Sequence, residues 1–248
     1  MSNVIPHNWE VPQVFRGRMG VHAGRQRVMN ADGHLLLILH EAPRRKEATE
    51  RGARLYWRKP DSTWQSSGSG ATTGAALRAH VEEFVAAVDT LEARVDGAKR
   101  ASDWFALIHD SAPLLRTARG LSATLQEARE LAKTDRDLIS LRDTAQEIER
   151  DLDLIHSDAR AGLDYAIATA AEENAASAKY QSDAGYRLNM IAATFLPISA
   201  IGSLLGMNLA HGLEHTYSPW AFWSVALIAF VLGLLVRASL PKAPKIGP

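Results

Sequence analysis

Two long runs without a charged side chain constrain this chain more than any other feature. Leu188–Asn208 is 21 residues long and Tyr217–Val236 is 20. At a helical rise of about 1.5 Å per residue each reaches about 30 Å, the thickness of the hydrocarbon core of a bilayer. A buried helix pair in a water-soluble protein is the alternative, but such helices seldom stay wholly uncharged for so long. Two membrane spans are therefore expected. Lys179 and Arg187 precede the first run, and Arg237, Lys242 and Lys245 follow the second, whereas the connection Leu209–Thr216 has no Lys or Arg. That asymmetry places both termini in the cytoplasm and the short loop outside. Tyr217, Trp220 and Trp223 open the second run, at the depth where amphipathic rings favour the interface. The first twenty residues lack the apolar stretch of a signal peptide, so the segment before the first span is expected to be cytoplasmic. The expected location is the plasma (inner) membrane, with a multi-pass topology.

Charge divides along the chain although it cancels overall. Of 248 residues, 28 are Lys or Arg and 28 are Asp or Glu; residues 1–75 carry a net +5, residues 76–187 a net −7 and residues 188–248 a net +2. Neutrality excludes a nucleic-acid binder that works through overall basicity, so no nucleic-acid partner is expected. The absence of cysteine excludes a disulfide scaffold, a thiolate metal site and a cysteine nucleophile. No ionisable group interrupts either run, which argues against a proton relay within the membrane.

The part before the membrane has two textures. Gln26–Ala31 and His34–Leu39 flank Asp32-Gly33, a hairpin turn signal, and Arg54–Arg58 and Thr63–Ser66 flank Lys59-Pro60-Asp61-Ser62, a second turn. Arg44–Arg51 is too charged for a core strand. Ser66–Gly74 has the composition of a flexible linker, and no Lys-Ser/Thr follows Gly74 to make it a phosphate loop. From there the pattern is helical: Leu77, Val81, Phe84, Val88, Leu91 and Val95 form one stripe, ended by Asp96-Gly97. A short piece bearing Trp104, Phe105 and Ile108 runs to a predicted break at Ser111-Ala112-Pro113. Leu114, Ala118, Leu121, Leu125 and Ala128 follow as another stripe. Leu138, Leu141, Ala145, Ile148, Leu152, Ile155, Ala159, Gly162 and Ala166 then keep a three-and-four spacing. A single helix from Asp135 to Asn208 would hold 74 residues. Its narrow stripe turns to small residues toward the membrane, the pattern of a stalk that needs neighbouring helices, and so of an oligomer.

The expected fold is thus an α-helical membrane protein, with a small mostly-β cytoplasmic head and a long helical stalk running into the first of two transmembrane helices. Its parts are a head and linker (1–74), cytoplasmic helices (75–134), a stalk helix (135–187), a two-helix transmembrane domain (188–237) and a cytoplasmic tail (238–248).

The most informative stretch closes the first span. Gly206-Met207-Asn208 ends it, Pro197 stands eleven residues before the asparagine, and Glu214 follows six residues after it. In this arrangement the chain resembles the CorA family of magnesium channels, over about Tyr186–Arg237. The departures are Leu205 where the family usually has an aromatic, a His-Gly-Leu-Glu-His loop without the usual Met-Pro, and a tail that keeps only Lys242 and Lys245. The resemblance implies a homopentamer, a selectivity filter at Gly206, Met207 and Asn208, an outer mouth at Glu214, and pore-lining or gate positions at Leu188, Ala192, Leu196, Ser199 and Ser203. It also implies Mg²⁺ as transported ion and as a regulator, with no other cofactor, and no enzymatic activity. Asp151, Asp153, Asp158, Asp164, Glu172, Glu173 and Asp183 are the carboxylates that would sense it; a solvated helix face is their other reading.

The chemistry of such a pore can be argued directly. Mg²⁺ gives up its waters reluctantly, so a site that strips it would be slow. A ring of Asn208 carboxamides offers neutral oxygens to the water shell and orients the hydrated ion without trapping it. Glu214 supplies negative charge at the mouth and raises the local cation concentration. Asn208 has a plainer reading as a helix C-cap. A membrane potential of 100 mV contributes about 2.3 kcal/mol per charge, hence about 4.6 for a divalent ion, so passive entry needs only a gate. Leu196 and Leu188 are the apolar positions able to close by dewetting.

Two other tasks fit the same architecture. His211 and His215 around Glu214 spell a metalloprotease pattern in a loop too short to build one, but their imidazoles suit zinc, cobalt or nickel transport. A non-conducting, membrane-anchored coiled-coil scaffold or sensor is the third reading. Divalent cations, membrane lipid and further copies of the chain are the partners expected.

Overall fold

The structure is a computed structural model. It describes residues 4–43, 52–68, 74–206 and 219–239. The elements run α1 (Gln13–Gly17), β1 (Arg27–Ala31), β2 (His34–His40), β3 (Ala53–Arg58), β4 (Trp64–Ser66), α2 (Ala75–Gly97), α3 (Ala101–Leu131), α4 (Arg136–Gly206) and α5 (Pro219–Ser239). Two compact units divide the chain, 1–168 and 169–248, and α4 contributes to both. Arg44–Arg51 and residues 69–73 of the expected linker lie outside the described residues.

The first unit is built on an antiparallel sheet of order β1-β2-β3-β4. Asp32 and Gly33 both take positive φ, 50° and 77°, which turns β1 tightly into β2 with the strands' own twist. β2 is an almost continuous apolar run because both of its faces are covered. Leu35, Leu37 and Leu39 face one core together with Val28 and Tyr56 from the neighbouring strands. Leu36 and Ile38 face the other, with Met29, Leu55 and Trp57. The register aligns these rows, pairing Leu37 with Val28 and Tyr56, and Leu36 with Met29 and Trp57. Under the second face lies the N-terminal segment, where Ile5, Trp9, Val11 and Phe15 are buried. This layer carries no periodicity and was not expected from the sequence.

On the first face the sheet shares one continuous core with α2, α3 and the start of α4. The compact unit runs to Ala168, inside the expected stalk. Ser66 ends β4, and Ser67 after it is tied to β3: Ser67 N donates to Leu55 O at 3.0 Å, and Leu55 N donates to Ser67 Oγ at 2.9 Å.

Two helical expectations are corrected. No break occurs at Ser111-Ala112-Pro113; α3 is continuous through Pro113. An internal proline costs about 3 kcal/mol, but Leu107, Ser111, Leu114 and Leu115 are buried on either side of it, and each buried leucine returns about 1.5–3 kcal/mol. Packing of the whole helix outweighs the local breaker. The second correction concerns the stalk stripe. Leu138, Leu141, Ala145, Ile148, Leu152, Ile155 and Ala159 are all buried inside the same chain, so this part of the stripe calls for no second copy. Gly162 also has its neighbour at home, since a Cβ there would stand 2.6 Å from the Trp104 ring of α3.

Asp135 stands just before α4 and starts it. Its Oδ1 accepts from the backbone N–H groups of Asp137 and Leu138 at 3.1 and 3.3 Å, satisfying donors that the first turn leaves free. Its Oδ2 accepts from Arg58 Nε of β3 at 2.8 Å, with both side chains largely buried. Between the sheet and α2, Arg54 bridges Glu41 at 2.8 Å and Glu83 at 2.6 Å. His80 is fully buried beside this group, edge-on to Tyr56 and close to Phe84, with neither ring nitrogen hydrogen-bonded among the described residues. Burial, reinforced by the Arg54 charge, pushes its pKa down to about 4. Burial likewise pushes the Tyr56 phenol up to about 12.

Candidate ion pathway

The second unit contains the C-terminal half of α4, which is long and apolar enough to cross a membrane, and α5. None of the apolar window of α4 is buried inside the chain. Pro197 sits within the helix and removes the N–H that Ala193 O would otherwise accept. Thr194 Oγ1 donates to Met190 O at 2.9 Å, one turn back. α5 begins at Pro219, and its shorter apolar stretch is Phe222–Val236. Among its described residues, Ala229 and Gly233 are buried. A Cβ at Gly233 would stand 2.9 Å from Thr194 O, so the two backbones approach as closely as a small-residue contact allows.

The two sides of α4 differ. Met190, Ala193, Thr194, Pro197, Ile198 and Ile201, on the side that meets α5, are half-buried. Leu188, Ala192, Leu196, Ser199 and Ser203 are all exposed. At 3.6 residues per turn these five fall within an arc of about 80°, centred opposite the half-buried side. Leu188 is 69% exposed and Leu196 65%, so both are bare apolar groups in a single copy. Gly206 ends α4, and among the described residues nothing stands near the position a Cβ would take. Met207, Asn208, His211, Glu214, His215 and Tyr217 lie outside the described residues, as do the loop 209–216 and residues 240–248 of the tail.

The expected sensing carboxylates lie along α4. Asp153 accepts from Arg119 Nη2 of α3 at 2.7 Å, and Asp158, Asp164, Glu172, Glu173 and Asp183 are exposed along α4. Among the described residues no three His, Asp or Glu side chains group as a metal site would need. Sequence reasoning missed His80, which sits in the α2 stripe at a position where an apolar residue would serve, and the burial of neighbouring apolar positions was the only signal for it.

With this geometry in view the likeness to known proteins can be placed. The family described as CorA-like Mg²⁺ transporter protein matches residues 61–238, nearly three-quarters of the chain. The chain belongs to this family, one of divalent-cation transporters of the membrane and not of enzymes. The match starts at Asp61, after the first three strands. Among solved structures the full-length CmaX protein is similar at 17% identity, covering 87% of this chain and 78% of that one, with a TM-score of 0.47. The complete CorA magnesium transporter of Methanocaldococcus jannaschii is similar at 13% identity, over 90% of this chain and 80% of that one, with a TM-score of 0.40. No curated protein sequence matches.

Proposed function

We propose that the chain assembles as a homo-oligomer, a pentamer by its family likeness, around a gated pore for passive entry of divalent cations, Mg²⁺ foremost. Both transmembrane helices cross the plasma membrane in this reading, with the termini in the cytoplasm. The observation that carries it is the open face of α4. α5 covers one side of the helix and leaves Leu188, Ala192, Leu196, Ser199 and Ser203 together on the opposite side. Copies of that face set around an axis give a conduit with hydroxyls toward Gly206 and leucines farther from it. The leucines form the neck: a dry apolar constriction offers a hydrated ion no hydrogen bonds and stops it. Asn208 carboxamides hold the water shell of the ion at the outer end, and Glu214 draws cations to the mouth. Intracellular Mg²⁺ acts as regulator through α4 carboxylates brought together between subunits.

Mg²⁺ flux into proteoliposomes tests this. Asn208→Ala removes the filter oxygens and abolishes flux while assembly and insertion persist; wild-type flux through that variant overturns the mechanism. Leu196→Ser wets the neck with little change in volume and raises flux at high internal Mg²⁺. Absence of flux from both wild type and Leu196→Ser, in correctly assembled protein, leaves the scaffold reading standing. Loss of zinc or nickel flux alone in His211→Ala/His215→Ala transfers the assignment to transition-metal transport.

A further inference from the structure

A cavity of about 1050 Å³ opens in the first unit between the loop leading into β1, the ends of β2 and β3, and the middle of α3. Its floor is a polar clamp. Gln26 Nε2 donates to Thr117 O of α3 at 2.8 Å, while its Oε1 accepts from His40 N of β2 at 3.2 Å. That reach needs Gly120, because a Cβ there would collide with the Gln26 amide. A mid-helix glycine costs about 1 kcal/mol against alanine, and here it makes room for a side chain that joins three elements. The loop itself turns at Gly24, whose φ is +71°, and the Gly24 carbonyl accepts from His40 Nε2 at 2.7 Å. The walls are thus fixed by contacts that do not use the rim.

The rim is cationic. Arg25 and Arg116 line the cavity, His22 stands beside them, and no Asp or Glu is among the described lining residues. Several other arginines of this unit are committed, Arg54 to Glu41 and Glu83, Arg58 to Asp135, Arg94 to Asp110 and Arg119 to Asp153. Among the described residues neither Arg25 nor Arg116 has an ion pair. A divalent cation finds no carboxylate here, so the site lies outside the transported ion's chemistry. Guanidinium groups match phosphate oxygens in planar, two-point hydrogen bonds. Val21 and Ala53 add apolar wall, and the volume suits a ligand the size of a nucleotide.

We propose that this cavity binds a soluble phosphate-bearing small molecule of nucleotide size, its phosphate held by Arg25 and Arg116. Titration calorimetry on the full-length protein in detergent, without Mg²⁺, tests it with inorganic phosphate, pyrophosphate and AMP. Pyrophosphate and AMP are expected to bind saturably and more weakly as salt rises. Arg25→Gln/Arg116→Gln, at two exposed positions, should weaken both at least tenfold with an unchanged circular-dichroism spectrum. No saturable heat from any probe at millimolar concentration overturns the proposal, and so does equal affinity in the double variant. Anionic phospholipid retained by wild type and lost from the double variant, without binding of the soluble probes, overturns it in favour of a lipid headgroup. Mg²⁺ flux enters none of these outcomes, so the result stands apart from the pore reading.

Discussion

Along α4, leucines recur at the same three-and-four spacing near both ends, but their surroundings are opposite. Leu152 is completely buried against its own chain, whereas Leu196 is 65% exposed. The periodicity that a sequence displays is therefore silent about what covers it. In the first unit the stripe is spent on α2, α3 and the sheet; in the second the corresponding face is exposed. The change comes where Ile155 and Ala159 give way to Gly162 and Ala166, and the small residues that follow have little surface to bury.

Substitution of paired leucines breaks or upholds this contrast most directly. Leu152→Ala should destabilise the first unit by about 2–5 kcal/mol, as for other buried leucines, read as faster hydrogen exchange of β2 amides. Leu196→Ala should leave that exchange unchanged. Equal losses from the two would erase the distinction between the halves of α4.

The next largest effect is a pH dependence confined to the first unit. His80 stays neutral when folded, with its pKa down to about 4 against an ordinary 6.5. The unfolded chain takes up the proton first, so stability is complete above pH 6.5 and falls as pH drops toward 4. The loss amounts to about 3 kcal/mol. His80→Leu should flatten stability across that window relative to wild type; an unchanged slope would show that His80 is not the group responsible.

A smaller effect is expected at the start of the long helix. Asp135→Asn keeps an oxygen for the cap but leaves Arg58 without its charged partner, at a cost of about 1–2 kcal/mol. Thermal unfolding at low and high salt checks it. Because the pair is largely buried, the loss should be nearly the same in both; a loss that vanishes in salt would place the pair in solvent.

How much of this was legible depended on how local each signal was. Asp32-Gly33 and Lys59–Ser62 announced their turns because turn chemistry is decided within four residues. The stripes of α2 and α4 announced helices for the same reason. Pro113 misled because its cost is local and its compensation is not: the leucines that keep α3 continuous pack against other elements. The layer made by Ile5, Trp9, Val11 and Phe15 has no period to detect. The Gln26 to Thr117 clamp joins residues 91 apart and leaves no mark on either segment. The five positions from Leu188 to Ser203, taken from the family's spacing, fall on one exposed face of α4, and their roles, like those of Asn208 and Glu214, come from likeness to a family and await the flux measurements.

The contact between Gly233 and Thr194 works as a notch and key. Only a residue without a side chain fits at 2.9 Å from that carbonyl oxygen, and the positions one turn away on α5, 229 and 237, both carry side chains. Sliding of one helix along the other by a turn is blocked in either direction. A shift of α4 along its own axis at this contact therefore carries α5 with it, and the two helices move as a pair rather than as independent rods.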